Sequence, residues 1–255
     1  EFDVIISCGR KSVIPPIHLK NNSKKKVLNI HIQDPKVNFN HFDFIVAPEH
    51  DALVGQNVLN TKGAIHYLTE NEISENKDYL KSFIRHDERK IWTLILGGPT
   101  KYYDYSTKNM KHIFTSIYKL LKKHDFQLVV IPSMRTPINT IHYAKEFFGE
   151  SHTVIMDVDK KAYLSALALA DISVITCDST SMISEAAITG KPVYIAMMKS
   201  NKNNRRFKKF YSLLTDLGIT RELKDSVEEW SYESLNEVNR VAPIIKTQMK
   251  TNGII

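Results

Sequence analysis

The chain has 255 residues, of which 42% are hydrophobic and 25% are charged, a composition typical of a soluble globular protein with one large or two ordinary domains. No apolar run approaches the roughly 20 residues that a membrane-spanning helix requires, so we do not expect an integral membrane protein. The formal net charge of +7 favours acidic partners such as nucleotide phosphates, anionic lipid or nucleic acid, and does not choose among them.

Short apolar runs of strand length dominate the first part of the chain. Strands are predicted at residues 3–8, 27–32 and 42–47, with a further candidate at residues 58–60. After the first strand, Gly9 to Ser12 form a basic turn in which Arg10 is a candidate anion contact, and a helix follows that Pro15 and Pro16 are expected to end. The first strand is already under way where the chain begins, which predicts an N-terminal domain that is incomplete.

A carboxylate, an imidazole and a second carboxylate follow the third predicted strand, at Glu49, His50 and Asp51. A neighbouring acid orients and stabilises an imidazole, so His50 and Asp51 are candidate catalytic residues that supply a general base. A hydrogen-bonded loop is the alternative, because histidine is common in loops and nothing in the sequence fixes a geometry here.

The composition turns polar at residues 70–89, where the sequence predicts a linker with a helix at residues 77–84. Strands then alternate with helices. The strands are predicted at residues 91–96, 128–131, 153–156, 172–175 and 193–197, and the helices at residues 107–123, 138–148, 161–170 and from 178 onwards. Such alternation implies a parallel sheet with helices on both faces. The predicted domains are residues 1–84 and 85–230, with a closing helix and tail at residues 231–255 that packs back towards the first domain.

Two of the predicted strands end in turns whose chemistry suits a phosphate or a sugar. Gly97 and Gly98 let a backbone come close to a ligand, although a Gly-Gly-Pro sequence is also ordinary turn chemistry. Arg135, between Ser133 and Thr136, can grip a diphosphate with two nitrogens, and a surface ion pair is its alternative role.

A third turn opens a helix with Asp178, Ser179, Thr180 and Ser181, whose side-chain oxygens can cap the helix or bind phosphate. Glu185, further along this helix, has a carboxylate that can accept both hydroxyls of a ribose. An ordinary helix cap and a solvated glutamate are the alternatives. All three turns follow predicted parallel strands, and ligands of such sheets bind at the carboxyl ends of the strands. The sequence therefore predicts one ligand site for phosphate and ribose hydroxyls at these turns.

Residues 199–209, here called the basic segment, contain no acidic residue. Arg205 and Arg206 are candidate contacts with an anion or a membrane surface, and a solvated loop is the alternative. Nucleic-acid binding is not predicted, because the positive charge is scattered and has no interleaved aromatic residues. Cys8 and Cys177 lack metal-ligand spacing, so we expect reduced thiols in a cytoplasmic protein, no metal site and no cofactor.

Six segments together resemble the ELM family, which is named after a plant mitochondrial-fission protein. They are CGRKS (8–12), IQDP (32–35), APEHDALVGQNVLNTKGAIH (47–66), LGGPTKYY (96–103), SMRTP (133–137) and TCDSTSMISEAAITGKPVYI (176–195). The last segment is also similar to the donor-site helix of GT-B glycosyltransferases and UDP-sugar 2-epimerases, where a glutamate holds the nucleotide ribose. The resemblance implies an α/β protein with two Rossmann-like parallel-sheet domains in a GT-B-like fold.

The chain departs from the family pattern in two places. Family members usually carry an additional N-terminal stretch, and where the family has Ser-Arg-Arg-Thr-Pro this chain has methionine at position 134 and so one positive charge fewer. The resemblance implies transfer of a sugar from a nucleotide-diphosphate sugar, which is expected to be uridine-based. In this reaction Arg135 and helix dipoles replace a metal at the leaving diphosphate. The alternatives are an epimerase that uses the same site and a non-enzymatic scaffold that contacts a partner or, peripherally, an anionic membrane.

Overall fold

The computed structural model describes residues 2–85 and 88–254, and the chain divides into two compact units. The first unit contains the chain up to Tyr67 together with the part from Asn236 onwards, and the second unit contains residues 68–235. The division therefore precedes residue 68, whereas the sequence placed it between residues 84 and 85. The physical reason is that Leu68, together with Ile73 and Leu80 of the polar stretch, buries its side chain in the core of the second unit.

The secondary structure follows the alternation expected of parallel sheets. The strands are β1 (Val4–Cys8), β2 (Leu28–Ile32), β3 (Phe44–Pro48), β4 (Val58–Thr61), β5 (Ile91–Leu96), β6 (Gln127–Pro132), β7 (Thr153–Val154), β8 (Ile172–Thr176), β9 (Val193–Ala196) and β10 (Thr220–Glu222). The α-helices are α1 (Ile14–Asn21), α2 (Glu70–Glu75), α3 (Thr107–His124), α4 (Ile138–Phe148), α5 (Lys160–Leu169), α6 (Thr180–Ala186), α7 (Arg205–Asp216) and α8 (Glu237–Thr251).

The first unit is built on a four-stranded parallel sheet in the order β1-β2-β3-β4. Ile45 and Val46 of β3 are consecutive and pack into different core clusters, as the alternation of side chains along a strand requires. The cluster of Ile45 includes Val13, at the start of α1, and that of Val46 includes Val241 of α8. The sheet is thus covered by a helix on each face.

The prediction that prolines end the first helix was wrong. Pro15 and Pro16 lie in the first turn of α1, where backbone N–H groups have no partner within the helix and where the fixed backbone angle of proline suits the helix start. The proline pair therefore lies at the start of the helix, directly after its first residue Ile14.

The second unit is a six-stranded parallel sheet in the order β10-β9-β8-β5-β6-β7. Every residue of β6, β8 and β9 is buried, as expected for strands covered on both faces. The sequence did not predict β10, which has three residues and includes the charged Arg221 and Glu222. The prediction of a helix at residues 77–84 is also wrong, since Tyr79–Ser82 form only a 3-10 turn. Among the described residues, no helix has the length and apolar character needed to cross a membrane.

Candidate functional site

The carboxyl ends of β5, β6 and β8 lie side by side at one edge of the second unit. Leu96 of β5 is in register with Pro132 of β6, and Ile95 is in register with Ile175 of β8. The turns that follow these three strands are therefore neighbours, although long stretches of sequence separate them. Ligands of parallel α/β sheets bind at this edge, outside the carboxyl ends of the strands.

Asp178 lies at the centre of this edge, and its side chain has no exposed surface. Its Oδ2 atom accepts the backbone N–H of Gly98 at 2.9 Å and the Nη2 group of Arg135 at 3.1 Å. Its Oδ1 atom accepts the hydroxyl of Tyr105 at 2.5 Å, and this hydroxyl also lies 2.8 Å from Oγ1 of Thr176. Three donors, one of them a cation, offset the cost of burying the carboxylate.

The buried position of Asp178 changes the role that the sequence suggested for it. Because its side chain is inaccessible, Asp178 does not meet a ligand in this conformation, and it instead fixes the backbone of Gly98 and the guanidinium of Arg135. Tyr105 was not predicted to belong to the site. Burial, followed by the charge of Asp178, raises the pKa of Tyr105, so the hydroxyl keeps its proton and donates. The sequence offered only adjacent tyrosines after the glycine pair, without showing which one faces inward.

Gly97 and Gly98 allow two loops of the protein to approach each other closely. A Cβ atom at Gly97 would lie 2.2 Å from Oδ2 of Asp178, and one at Gly98 would lie 2.1 Å from the carbonyl oxygen of Arg135. Both backbone N–H groups are engaged, that of Gly97 with Oγ1 of Thr176 at 2.8 Å and that of Gly98 with Asp178. Both glycines therefore have a role in packing, and their predicted approach to a ligand stays a prediction.

The turn after β6 is held by hydroxyls and leaves one cation accessible. Oγ1 of Thr136 accepts the N–H of Ser133 at 2.8 Å and lies 2.6 Å from the carbonyl oxygen of Gly97, to which the hydroxyl of Ser133 also donates at 3.1 Å. These hydroxyls are used within the protein. Arg135 lies between them with 46% of its side chain exposed, and the described residues engage only the Nη2 group of its guanidinium. Arg135 is thus available to an anion.

The start of α6 combines a cap with accessible hydroxyls. Ser179 is buried and caps the helix, since its Oγ accepts the N–H of Met182 at 3.3 Å. Thr180 is half-buried and Ser181 is exposed. Of the predicted hydroxyls in this turn, those of Thr180 and Ser181 are the ones that a ligand can reach.

Glu185 lies near the end of α6 and is half-buried. Its Oε2 atom accepts the hydroxyl of Tyr163, a residue of α5, at 2.5 Å. Its Oε1 atom accepts no hydrogen bond from residues 2–85 and 88–254. The sequence predicted Glu185 as a ribose contact and gave no indication of Tyr163.

The basic segment follows β9 at the same edge of the sheet. The N–H of Met198 contacts Sγ of Cys177 at 3.3 Å, and the N–H of Asn201 donates to the carbonyl of Tyr102 at 2.7 Å. The first contact holds the residue directly before the basic segment against the turn that contains Asp178, and the second joins the segment to the loop between β5 and α3. The fold therefore places a run of exposed cations after β9, at the edge of the second unit where the strands end: Lys199, Lys202, Arg205, Arg206, Lys208 and Lys209.

The remaining predicted contacts lie in the first unit. His50 and Asp51 form a 3-10 turn with Glu49, and the side chains of His50 and Asp51 are 2% and 8% exposed. Nε2 of His50 lies 3.8 Å from Oδ1 of Asp51, so an acid stands beside the imidazole. Arg10 is exposed in a 3-10 turn after β1. Catalysis by His50 and Asp51 stays a prediction.

The chain has two thiols, one exposed and one buried. Cys8 and Cys177 are both free, and burial raises the pKa of the Cys177 thiol to about 12, which keeps it protonated. Within the part of the chain that the structure describes, no three His, Cys, Asp or Glu side chains come together as metal ligands would.

Comparison with known sequences identifies relatives over nearly the whole chain. Residues 2–249 match the sequence profile of the family described as Mitochondrial fission ELM1. An uncharacterized protein of Rickettsia prowazekii is 29% identical over 297 residues, which cover 98% of this chain and 80% of the relative. Mitochondrial fission protein ELM1 of Arabidopsis thaliana is 24% identical over 283 residues, which cover 98% of this chain and 64% of that protein.

Solved structures with a similar fold include proteins solved with UDP or with UDP-GlcNAc. UDP-GlcNAc 2-epimerase of Neisseria meningitidis, solved with UDP-GlcNAc, has a TM-score of 0.55 and 14% identity and covers 99% of this chain and 70% of its own. S. aureus MnaA, solved with UDP, has a TM-score of 0.51 and 15% identity and covers 97% of this chain and 74% of its own. At these identities the likeness shows the fold alone. It confirms the predicted α/β fold with two Rossmann-like parallel-sheet domains similar to GT-B proteins.

Proposed function

This chain belongs to the mitochondrial fission ELM1 family, and on that premise we propose that its second unit binds a nucleotide-diphosphate sugar for transfer of the sugar to an acceptor. The observation that carries the proposal is the solvent-accessible guanidinium of Arg135, held by the buried Asp178 beside the hydroxyls that open α6. A fixed cation and hydroxyls at the carboxyl edge of a parallel sheet suit a diphosphate.

Each accessible residue contacts a different part of the proposed ligand. Arg135 binds the diphosphate, because the nitrogens of its guanidinium that Asp178 does not engage can donate to phosphate oxygens. Thr180 and Ser181 add hydroxyls. Glu185 accepts the hydroxyls of the ribose. The nucleotide is expected to be uridine-based, as it is in the solved proteins of similar fold named above.

In the transfer step, an acceptor hydroxyl forms a bond to the anomeric carbon while the bond from that carbon to the diphosphate breaks. Negative charge develops on the leaving diphosphate, and a cation already fixed in place stabilises that charge without reorganisation. Asp178 and Tyr105 supply that fixation for Arg135. The acceptor hydroxyl loses its proton as its bond to the anomeric carbon forms, and an oxygen of the leaving diphosphate accepts that proton.

The placement of the basic segment favours a second, compatible role. Its exposed cations lie at the edge that carries Arg135, so attraction to an anionic membrane surface would bring the site to that surface. An acceptor at the membrane, or a scaffold without catalysis, would both use this contact. We propose peripheral membrane binding through this segment.

A ligand screen followed by calorimetry tests the proposal. Nucleoside diphosphates and their sugars are screened by thermal shift, because a bound ligand raises the apparent stability. Arg135→Gln is expected to weaken UDP binding by about tenfold to a hundredfold, which corresponds to the loss of charge-assisted hydrogen bonds of about 1.5–3 kcal/mol.

Arg221→Gln is the matched control, because Arg221 is 42% exposed and also pairs with a carboxylate, that of Glu228. This variant is expected to bind UDP as the unaltered protein does. No thermal shift with any nucleotide, or equal weakening by the two arginine variants, would reject the assignment of the site.

A further inference from the structure

A hydrogen bond between two helices defines the surroundings of Glu185. The hydroxyl of Tyr163, in the first turn of α5, donates to Oε2 of Glu185 on α6 at 2.5 Å. Both side chains are half-buried, and Tyr163 is held by a helix that precedes β8 while Glu185 is held by the helix that follows it. A phenol has few rotatable bonds, so a tyrosine fixed in this way is a rigid support for a flexible glutamate.

The bond uses only part of the acceptor capacity of the carboxylate. An ionised carboxylate has two oxygens with about four acceptor positions, and Tyr163 occupies one of them. Oε1 accepts no hydrogen bond from the described residues. A vicinal diol needs two acceptor positions in a fixed orientation, which is what a carboxylate anchored at one oxygen offers.

We propose that Tyr163 is a positioning residue that orients Glu185 and thereby makes the site select ribonucleotides over 2′-deoxyribonucleotides. The inference rests on the proposed function, since it concerns the same nucleotide site. Without the tyrosine hydroxyl, Glu185 samples several rotamers, and binding of the diol must then order the side chain at a cost in affinity. A nucleotide without the 2′-hydroxyl gains less from the fixed orientation, so its affinity changes less.

A purely structural role for this bond predicts something different. If Tyr163 and Glu185 only join α5 to α6, the loss of the bond lowers the free energy of unfolding and changes the affinities for both kinds of nucleotide equally. The ratio of the two affinities therefore separates the two roles, because loosening of the fold does not move it.

Titration calorimetry with UDP and 2′-deoxy-UDP on four proteins tests the inference. The proteins are the unaltered chain, Tyr163→Phe, Glu185→Gln and the control Tyr79→Phe. Tyr79 is suitable as a control because its hydroxyl also donates to a carboxylate, that of Asp159, which caps the same helix α5. Its replacement loosens α5 without touching Glu185. Circular dichroism and thermal unfolding of each variant establish that it is folded.

The unaltered protein and the control are expected to prefer UDP by about tenfold, the effect of one hydrogen bond to a charged acceptor. Glu185→Gln is expected to weaken UDP binding by at least about tenfold and to remove most of the preference, and Tyr163→Phe to reduce the preference severalfold. An unchanged ratio in Tyr163→Phe, or no preference in the unaltered protein, overturns the inference while leaving nucleotide binding standing. Failure of the unaltered protein to bind UDP overturns the proposed function itself, and the inference with it.

Discussion

Asp178→Asn tests whether the buried carboxylate organises the edge of the second unit. Asparagine keeps the shape of the side chain and one acceptor oxygen, but it removes the charge and directs an NH2 group towards donors. The variant therefore weakens the contacts with Gly98, Tyr105 and Arg135 together. Breaking a buried ion pair by altering one partner costs about 3–5 kcal/mol. Because Arg135 is 46% exposed and water screens its share, we expect the lower end, about 3 kcal/mol.

The assay compares the unaltered protein with Asp178→Asn, Tyr105→Phe and the double variant. Unfolding by denaturant is monitored by fluorescence, and thermal unfolding is measured separately. For a unit of this size a loss of about 3 kcal/mol lowers the Tm by roughly 6–12 °C. The double variant is expected to be less destabilised than the sum of the single variants by at least about 0.5 kcal/mol, because Tyr105 and Asp178 act through one hydrogen bond.

Asp216→Asn is the matched control, since Asp216 is exposed on α7 and its expected effect is within about 0.5 kcal/mol. A loss below about 1 kcal/mol for Asp178→Asn, or strict additivity with Tyr105→Phe, would refute the view that these groups form one unit.

Two further predictions concern pH and membranes. Burial lowers the pKa of His31 below its ordinary value of 6.5, so the unfolded chain binds the extra proton, and the free energy of unfolding of the first unit should fall as the pH drops below about 6.5. Hydrogen exchange of the β2 amides, measured from pH 7 to pH 5, should show this loss of stability in the unaltered protein and a smaller loss in His31→Gln. If stability falls equally with pH in both proteins, His31 is excluded as the source. Binding of the protein to vesicles with anionic lipid should weaken as salt is added, because the attraction is screened within about a Debye length. It should also weaken in the double variant Arg205→Gln, Arg206→Gln, which removes two of the charges. The control with Lys119→Gln and Lys122→Gln on α3 should bind as before, and binding that is insensitive to salt would contradict the electrostatic reason.

The alternation of elements was predictable from the sequence because it depends on neighbours along the chain. The apolar runs that become β5, β6, β8 and β9 are local patterns, and the serine that caps α6 acts on a backbone N–H three residues later. The three turns could also be assigned to one edge, because parallel strands share the direction in which they end. Elements without a strong local pattern were missed, among them β10 with its charged residues and the proline pair that starts α1.

The tertiary structure decided which side chains meet and which of them remain accessible. Strand β5 lies between β8 and β6, an order that the sequence does not contain, and this order brings Gly98, Tyr105 and Arg135 to Asp178 across separations of 80, 73 and 43 residues. Burial at this meeting point turned Asp178 from a predicted ligand contact into a support for Arg135, and the packing of α5 beside α6 gave Glu185 a tyrosine partner. Local periodicity determines the elements, whereas the neighbours of a buried polar group depend on how those elements are ordered in space.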